Sequence, residues 1–354
     1  MKTFRCSSCG HLIFFENVAC EQCGSLLGFI PELVEMRAFT KAPDGVWDTK
    51  PVSTKRYKPC RNYAVEKVCN WMVPGDAQES LCESCRLTAV IPNLRAARRR
   101  YFWSKMEAAK RRLLYTLTSL GLRVDSRRED PDAGLRFEFL ENRRGKKVLT
   151  GHDRGLITMN IAEPDDVRRE RIRVAMREPY RTLLGHFRHE IGHYYFDRLV
   201  AGTAHITEFR ELFGDEQADY QEALARHYDS GAPPDWGSTH VSAYATMHPW
   251  EDWAESWAHY LHIFDTIDTA VACGVGIKPG SPLDPAVSLE EPDGCSSFDT
   301  LMKHWLPLTY AMNSLNRSLG MPDPYPFALT RSAVKKLGFV HRVIAAKTSV
   351  GLPS

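Results

Sequence analysis

The sequence predicts an α+β protein in which N-terminal cysteine-built modules precede a mostly helical domain with a small sheet. Three observations carry this. Eight of the ten cysteines lie before residue 86, in spacings that suit metal rather than disulfide chemistry. Strand-like runs cluster between residues 135 and 161, and beyond residue 165 the apolar residues recur at helical spacing. Strands first and helices afterwards describe an α+β arrangement. The 354-residue length exceeds one typical domain, and the text changes near residue 92, which divides the chain into 1–92 and 93–354. A net charge of +2 gives no global attraction to nucleic acid or membrane. No run of about 18 apolar residues is present, so no transmembrane helix is expected. The first residues enter a Cys-x-x-Cys pair without an apolar signal core, which points to a reducing, cytoplasmic compartment.

Cys6-x-x-Cys9 and Cys20-x-x-Cys23 are separated by ten residues. Each pair makes a tight knuckle that turns two thiolates toward one point, and two knuckles complete a tetrahedron that zinc fills with no position left open. Gly10 and Gly24 follow the knuckles and permit such turns. This spacing is that of a zinc ribbon; two redox-active dithiols are the alternative. Cys60, Cys69 and Cys82-x-x-Cys85 form a second group, irregular in its first half, read as one more structural zinc site. Cys273 and Cys295 stand apart and are expected to bind nothing.

Residues 28–58 show little periodicity and read as a linker or extended wrap between the modules. From Arg95 to Leu120 a long basic helix is expected, with Tyr101, Phe102, Met106, Leu113, Leu114 and Leu117 on its apolar side and Gly121 at its end. Strands are expected over 135–140, 146–149 and 156–161, separated by turns at Asn142–Gly145 and His152–Gly155. The remainder reads helical apart from a Gly-, Pro- and Asp-rich loop at 274–297.

The chemistry concentrates in a helix placed within Pro179–Ala201, with Pro179 in its first turn. It contains His189-Glu190-Ile191-Gly192-His193, the His-Glu-x-x-His pattern. Histidines four apart share one helix face and can reach one metal, while Glu190, about 100° around the helix, can act on water as a general base without being a ligand. The bland alternative is two histidines on a solvated face. A third ligand is still needed. Phe196 and Leu199 stand where the class with a third histidine would have Gly and His. Downstream, His248-Pro-Trp-Glu251-Asp-Trp-Ala-Glu255 starts a second helix, with Trp250, Trp253, Trp257, Leu261 and Phe264 as its buried stripe and two carboxylates one turn apart. That pairing is similar to the zincins whose third ligand is a glutamate, which implies Glu251 on the metal and Glu255 orienting a histidine ring. Asp215, Glu216 and Asp219, placed on an intervening helix, are the rival source of a ligand.

Taken together, these residues resemble the bacterial zinc-binding metallopeptidases that carry an N-terminal zinc-ribbon region. The resemblance runs nearly end to end. It includes Cys69-Asn70-Trp71, Phe187-Arg188-His189-Glu190-Ile191-Gly192-His193-Tyr194, the His248–Glu255 stretch, Leu315-Asn316-Arg317 and Asp323-Pro-Tyr325-Pro-Phe327. It implies a zincin-like catalytic domain and peptide-bond hydrolysis, for which Glu190 is the expected general base; two sets of four cysteines and the separate histidine motif add up to three zinc ions, one catalytic and two structural. Tyr244, seven residues before Glu251, resembles in placement the tyrosine that stabilises the oxyanion in some glutamate zincins; His248 is the second candidate. A peptide or protein is the expected partner, and no membrane. The cations Arg95, Arg98, Arg99, Arg100, Lys105, Lys110, Arg111 and Arg112 keep a nucleic-acid-associated protein open as an alternative, and the ribbons a zinc-stabilised interaction module.

Overall fold

A computed structural model describes residues 2–143, 145–176, 178–278, 281, 287–289 and 297–350. The chain forms two compact units, one of residues 1–119 with 123–165 and one of 120–122 with 166–354. The α+β class is as the sequence predicts.

In the first unit the hairpin β1 (Phe4–Arg5) and β2 (Leu12–Ile13) carries the first knuckle. An antiparallel sheet follows, of β3 (Leu26–Ile30), β4 (Glu35–Thr40) and β5 (Asp48–Lys50). Residues 28–58 are therefore not a linker. Leu27, Phe29, Met36, Ala38 and Phe39 are buried there, and both faces of the strands are partly covered, which erases the alternation a half-buried strand would show. The pair β6 (Tyr57–Pro59) and β7 (Met72–Pro74) brackets Cys60 and Cys69, and the short turn of helix α1 (Glu83–Arg86) begins directly after Cys82. Strand β8 (Thr88–Val90), unforeseen in the sequence, joins β9 (Arg136–Leu140), β10 (Gly151–Asp153) and β11 (Leu156–Asn160) in one sheet ordered β10-β11-β9-β8. The strand expected at 146–149 lies instead at Gly151–Asp153. The amide of Val148 is taken by the Asn142 side chain, and the hairpin turns at Arg154 and Gly155, both at positive φ. Arg143 pairs with Lys146 around the earlier turn, of which Arg144 lies outside the described residues.

Helix α2 (Ala97–Ser119) buries Trp103, Met106, Leu113, Leu114 and Leu117, whereas Tyr101 is exposed. Its cations are largely engaged inside the unit. Arg98 pairs with Asp165, Arg99 with Glu141, Arg100 with Glu66 and Arg112 with Glu16. Lys110 and Glu107 form a fully buried pair, 2.8 Å apart, and Arg111 donates to the Val68 carbonyl.

The second unit is helical: α3 (Asp166–Ala175), α4 (Leu183–Leu199), α5 (Ile206–Phe213), α6 (Tyr220–Ser230), α7 (Pro249–Ala272), α8 (Phe298–Ser318) and α9 (Arg331–Val350), with a small pair β12 (Gly276–Ile277) and β13 (Val287–Ser288). Helix α4 starts later than expected. Thr182 is its N-cap, accepting from the Gly185 amide at 3.0 Å, so Pro179 precedes the helix rather than opening it. Helices α4 and α7 pack side by side at Gly192. A Cβ there would lie 3.0 Å from Ala254 Cα and 3.2 Å from Trp257 Cβ, and the Trp253 indole donates to the Gly192 carbonyl at 2.8 Å. Tyr195 stacks on Trp257, and Phe187, Ile191, Leu261 and Phe264 complete the seam. Trp250 departs from the expected buried stripe: it is half-buried. Lys336 of α9 reaches into α7 to pair with the buried Asp252.

Candidate metal centre

His189 and His193 stand one turn apart on α4, and Glu251 begins the second residue pair of α7 directly after Pro249 and Trp250. Because Gly192 lets the two helices approach closely, these side chains converge. One ligand atom from each of His189, His193 and Glu251 lies within 4.8 Å of the others, so the three could hold a metal ion. Glu251 Oε2 is 2.9 Å from His189 Nε2 and 3.5 Å from His193 Nε2. Even so, this buried oxygen accepts no hydrogen bond of acceptable geometry. Two imidazole nitrogens and one carboxylate oxygen facing a common point form a donor set that suits zinc, and an ion between them answers the buried oxygen. Burial alone would raise Glu251, but the His193 and His189 rings reverse this and hold it well below the usual carboxylate range. Burial lowers His193, which favours the neutral form that a metal requires.

Glu255, one turn beyond Glu251, does not join the three. Its Oε1 lies 2.7 Å from His189 Nδ1, and its Oε2 accepts from the Ser242 hydroxyl at 2.7 Å. Burial opposes its ionisation, yet the bond to His189 lowers it to about 2. The carboxylate thereby fixes which His189 nitrogen faces the centre. Glu190 is buried on the same helix, and its charge is felt by both Tyr220 and Tyr244. Tyr244 sits in a single 3-10 turn, its ring centroid 5.9 Å from that of His189; burial first and the Glu251 charge second raise its phenol far above the ordinary value. It is thus a neutral hydrogen-bond donor. Trp250 lies over His193, with ring centroids 3.7 Å apart and planes at 34°.

The rival ligands are elsewhere employed. Asp215, Glu216 and Asp219 lie in the loop between α5 and α6, not on a helix: Asp215 accepts from the Gln217 amide, Glu216 pairs with Arg210, and Asp219 caps α6. His248 caps α7 through Nδ1 and meets the Ala218 carbonyl through Nε2, so both ring nitrogens are committed and it offers no free donor to an oxyanion. Sequence reasoning missed Tyr220, whose hydroxyl donates to Glu251 Oε1 at 2.8 Å. A first-turn residue after a capping aspartate carries no periodicity that would single it out.

The cysteines gather in two further sets. Sγ atoms of Cys6, Cys9, Cys20 and Cys23 lie within 4.8 Å of one another, as do those of Cys60, Cys69, Cys82 and Cys85. The two knuckles of the first set are built alike, with the Gly10 amide on the Cys6 carbonyl and the Gly24 amide on the Cys20 carbonyl, each glycine at positive φ. In the second set the long Cys60–Cys69 spacing is taken up by a helical turn over Asn62–Glu66, closed by Lys67 at positive φ. The amides of Cys82 and Trp71 donate to the Cys60 and Cys69 sulfurs, at 3.3 and 3.4 Å. Cys273 is exposed and belongs to neither set; Cys295 lies outside the described residues. Among the described residues no helix is long and apolar enough to cross a membrane.

Residues 99–343 match the family described as putative zinc-binding metallo-peptidase, and residues 3–96 match a zinc-ribbon domain. The chain is 45% identical over 345 residues to uncharacterized proteins of Mycobacterium tuberculosis and Mycobacterium bovis, an alignment covering 97% of this chain and 95% of each relative. No solved structure matches.

Proposed function

Because this chain belongs to the zinc-binding metallo-peptidase family, we propose that it hydrolyses peptide bonds with a zinc ion held by His189, His193 and Glu251, using Glu190 as the general base. The observation that carries the reading is the convergence of two imidazole nitrogens and the buried Glu251 oxygen on one point. A zinc ion held by His189, His193 and Glu251 would supply a Lewis acid for the scissile carbonyl and would make the attacking water more acidic. Glu190 takes the proton of the attacking water and returns it to the leaving amine. Tyr244, kept neutral by its surroundings, donates to the carbonyl oxygen as negative charge develops. Glu255 holds the His189 ring in one tautomer throughout. The eight N-terminal cysteines hold two structural zinc ions, for a total of three per chain, and a reducing cytoplasmic compartment keeps them as thiolates. The partner is a peptide or protein substrate; most cations of α2 are engaged with neighbouring groups of their own unit, and this reading makes no use of them as a nucleic-acid face.

The test is cleavage of a peptide library by the zinc-loaded protein and by Glu190→Gln. The variant should keep its zinc while the rate falls about 10²–10⁴-fold, the worth of a general base. A variant that keeps full activity, or a wild-type protein whose cleavage survives removal of the metal, would overturn the assignment.

A further inference from the structure

Glu251 has two oxygens and shows only one of them to the histidines. Oε2 lies 2.9 and 3.5 Å from the two Nε2 atoms, whereas Oε1 accepts the Tyr220 hydroxyl at 2.8 Å. We propose that Tyr220 is a positioning residue for the metal: its hydrogen bond retains Oε1, so that Glu251 offers only Oε2 to an ion that it would hold with His189 and His193. The inference rests on the metal site proposed above and adds a residue to it.

The placement of Tyr220 is itself constrained from two sides. Asp219 caps α6 by accepting from the Glu222 amide at 2.9 Å, which fixes where the first residue of the helix points. His248 joins the start of α7 to the residue before that cap, with Nε2 3.0 Å from the Ala218 carbonyl and Nδ1 accepting from the Trp250 amide at 3.1 Å. The beginnings of α6 and α7 are thereby moored to each other, and the phenol of one is held over the carboxylate of the other. The Tyr220 ring packs edge-on against His248 and Trp250, at centroid distances of 5.3 and 6.0 Å. Those contacts belong to the ring and survive loss of the hydroxyl.

A carboxylate freed at Oε1 can swing to place both oxygens on a metal or turn away from it. Either change alters coordination without touching the fold, and this separates a positioning role from a packing role. The experiment compares wild type, Tyr220→Phe and Glu251→Ala, each with both cysteine sites loaded. Zinc affinity at the histidine site is read by chelator competition, and the visible spectrum is read after cobalt substitution at that site. Tyr220→Phe should bind zinc about 10–100-fold more weakly, the usual loss for a partner behind a ligand, and its cobalt bands should shift in position and intensity. Unchanged affinity and an unchanged spectrum in Tyr220→Phe, with zinc lost from Glu251→Ala, would overturn the role of Tyr220 and leave the metal site standing. Undiminished affinity in Glu251→Ala would overturn the metal site and with it this inference.

Discussion

Gly192 decides how closely the helix bearing the two histidines can approach the helix bearing Glu251. Replacing it with alanine adds a Cβ that meets Ala254 Cα at 3.0 Å, Trp257 Cβ at 3.2 Å and Trp257 Cδ1 at 3.3 Å. Carbon atoms are most comfortable at about 3.5–4.0 Å, so the seam must open by roughly 0.5 Å. The first two contacts are a backbone carbon and the root of a buried indole, neither of which can rotate away. Overpacking of this kind costs about 1–3 kcal/mol, of which alanine recovers about 1 kcal/mol through its better helix propensity. Global stability should therefore fall by no more than about 2 kcal/mol. The metal site has less tolerance, because ligand geometry must hold to about 0.5 Å and the added methyl sits on the turn between His189 and His193. A displacement that size should lower zinc affinity at least tenfold, equivalent to about 1.4 kcal/mol. Chelator competition for the histidine site, beside thermal unfolding of the same protein with that site empty, separates the two effects. Wild-type zinc affinity in Gly192→Ala would refute the idea that close helix approach builds the centre.

Glu251→Ala should empty the histidine site, whereas Glu255→Ala should weaken zinc binding there by about 10–100-fold and still fill it when zinc is in excess; the reverse outcome would exchange their roles. Elemental analysis of the purified protein should give close to three zinc ions per chain, and Cys60→Ser should lower that count by one; a wild-type value near one would refute the two cysteine sites. Lys336→Ala leaves Asp252 buried without its cation and should lower the unfolding midpoint, with a cost approaching about 3–5 kcal/mol only where Asp252 is ionised. Burial already raises Asp252 to about 7 against the opposing pull of Lys336, so without the lysine it goes higher. A carboxyl raised in the folded state stabilises when protonated and loses that contribution as pH rises, so the penalty should deepen above about pH 7. A penalty that shrinks with rising pH would contradict this account.

Much of the centre was legible because its parts are local. His189 and His193 share a helix face by spacing alone, and Glu251 and Glu255 repeat that spacing on a second helix whose start is marked by Pro249. The two carboxylates meet opposite sides of His189, Glu251 at Nε2 and Glu255 at Nδ1, a tertiary fact that only a class resemblance could anticipate. Tyr220 reaches Glu251 across 31 positions of sequence, and no pattern records that contact. The strand at Gly151–Asp153 was misplaced because Lys146–Leu149 has the better composition, while a side chain, Asn142, claims the amide that pairing would need. Lys110 and Arg111 read as members of a run of helix cations, yet both are buried together with Glu107, since partners on Thr88 and Val68 are distant in sequence.

That buried cluster bears on how the chain can be divided. Thr88 accepts from Lys110 and donates to Glu107, and it belongs to β8, the edge strand beside β9. A fragment begun at Ala97, where the long helix starts and close to where the peptidase match begins, would shed that strand. It would leave β9 with an open edge and two charged side chains facing a vacated groove, and would strip Glu16 and Glu66 from the helix's arginines. Exposed sheet edges recruit other chains, so such a fragment should be prone to self-association even with every residue of the histidine site intact. For practical work on this protein, the cysteine-bearing region is a folding partner of the helix and is best kept attached.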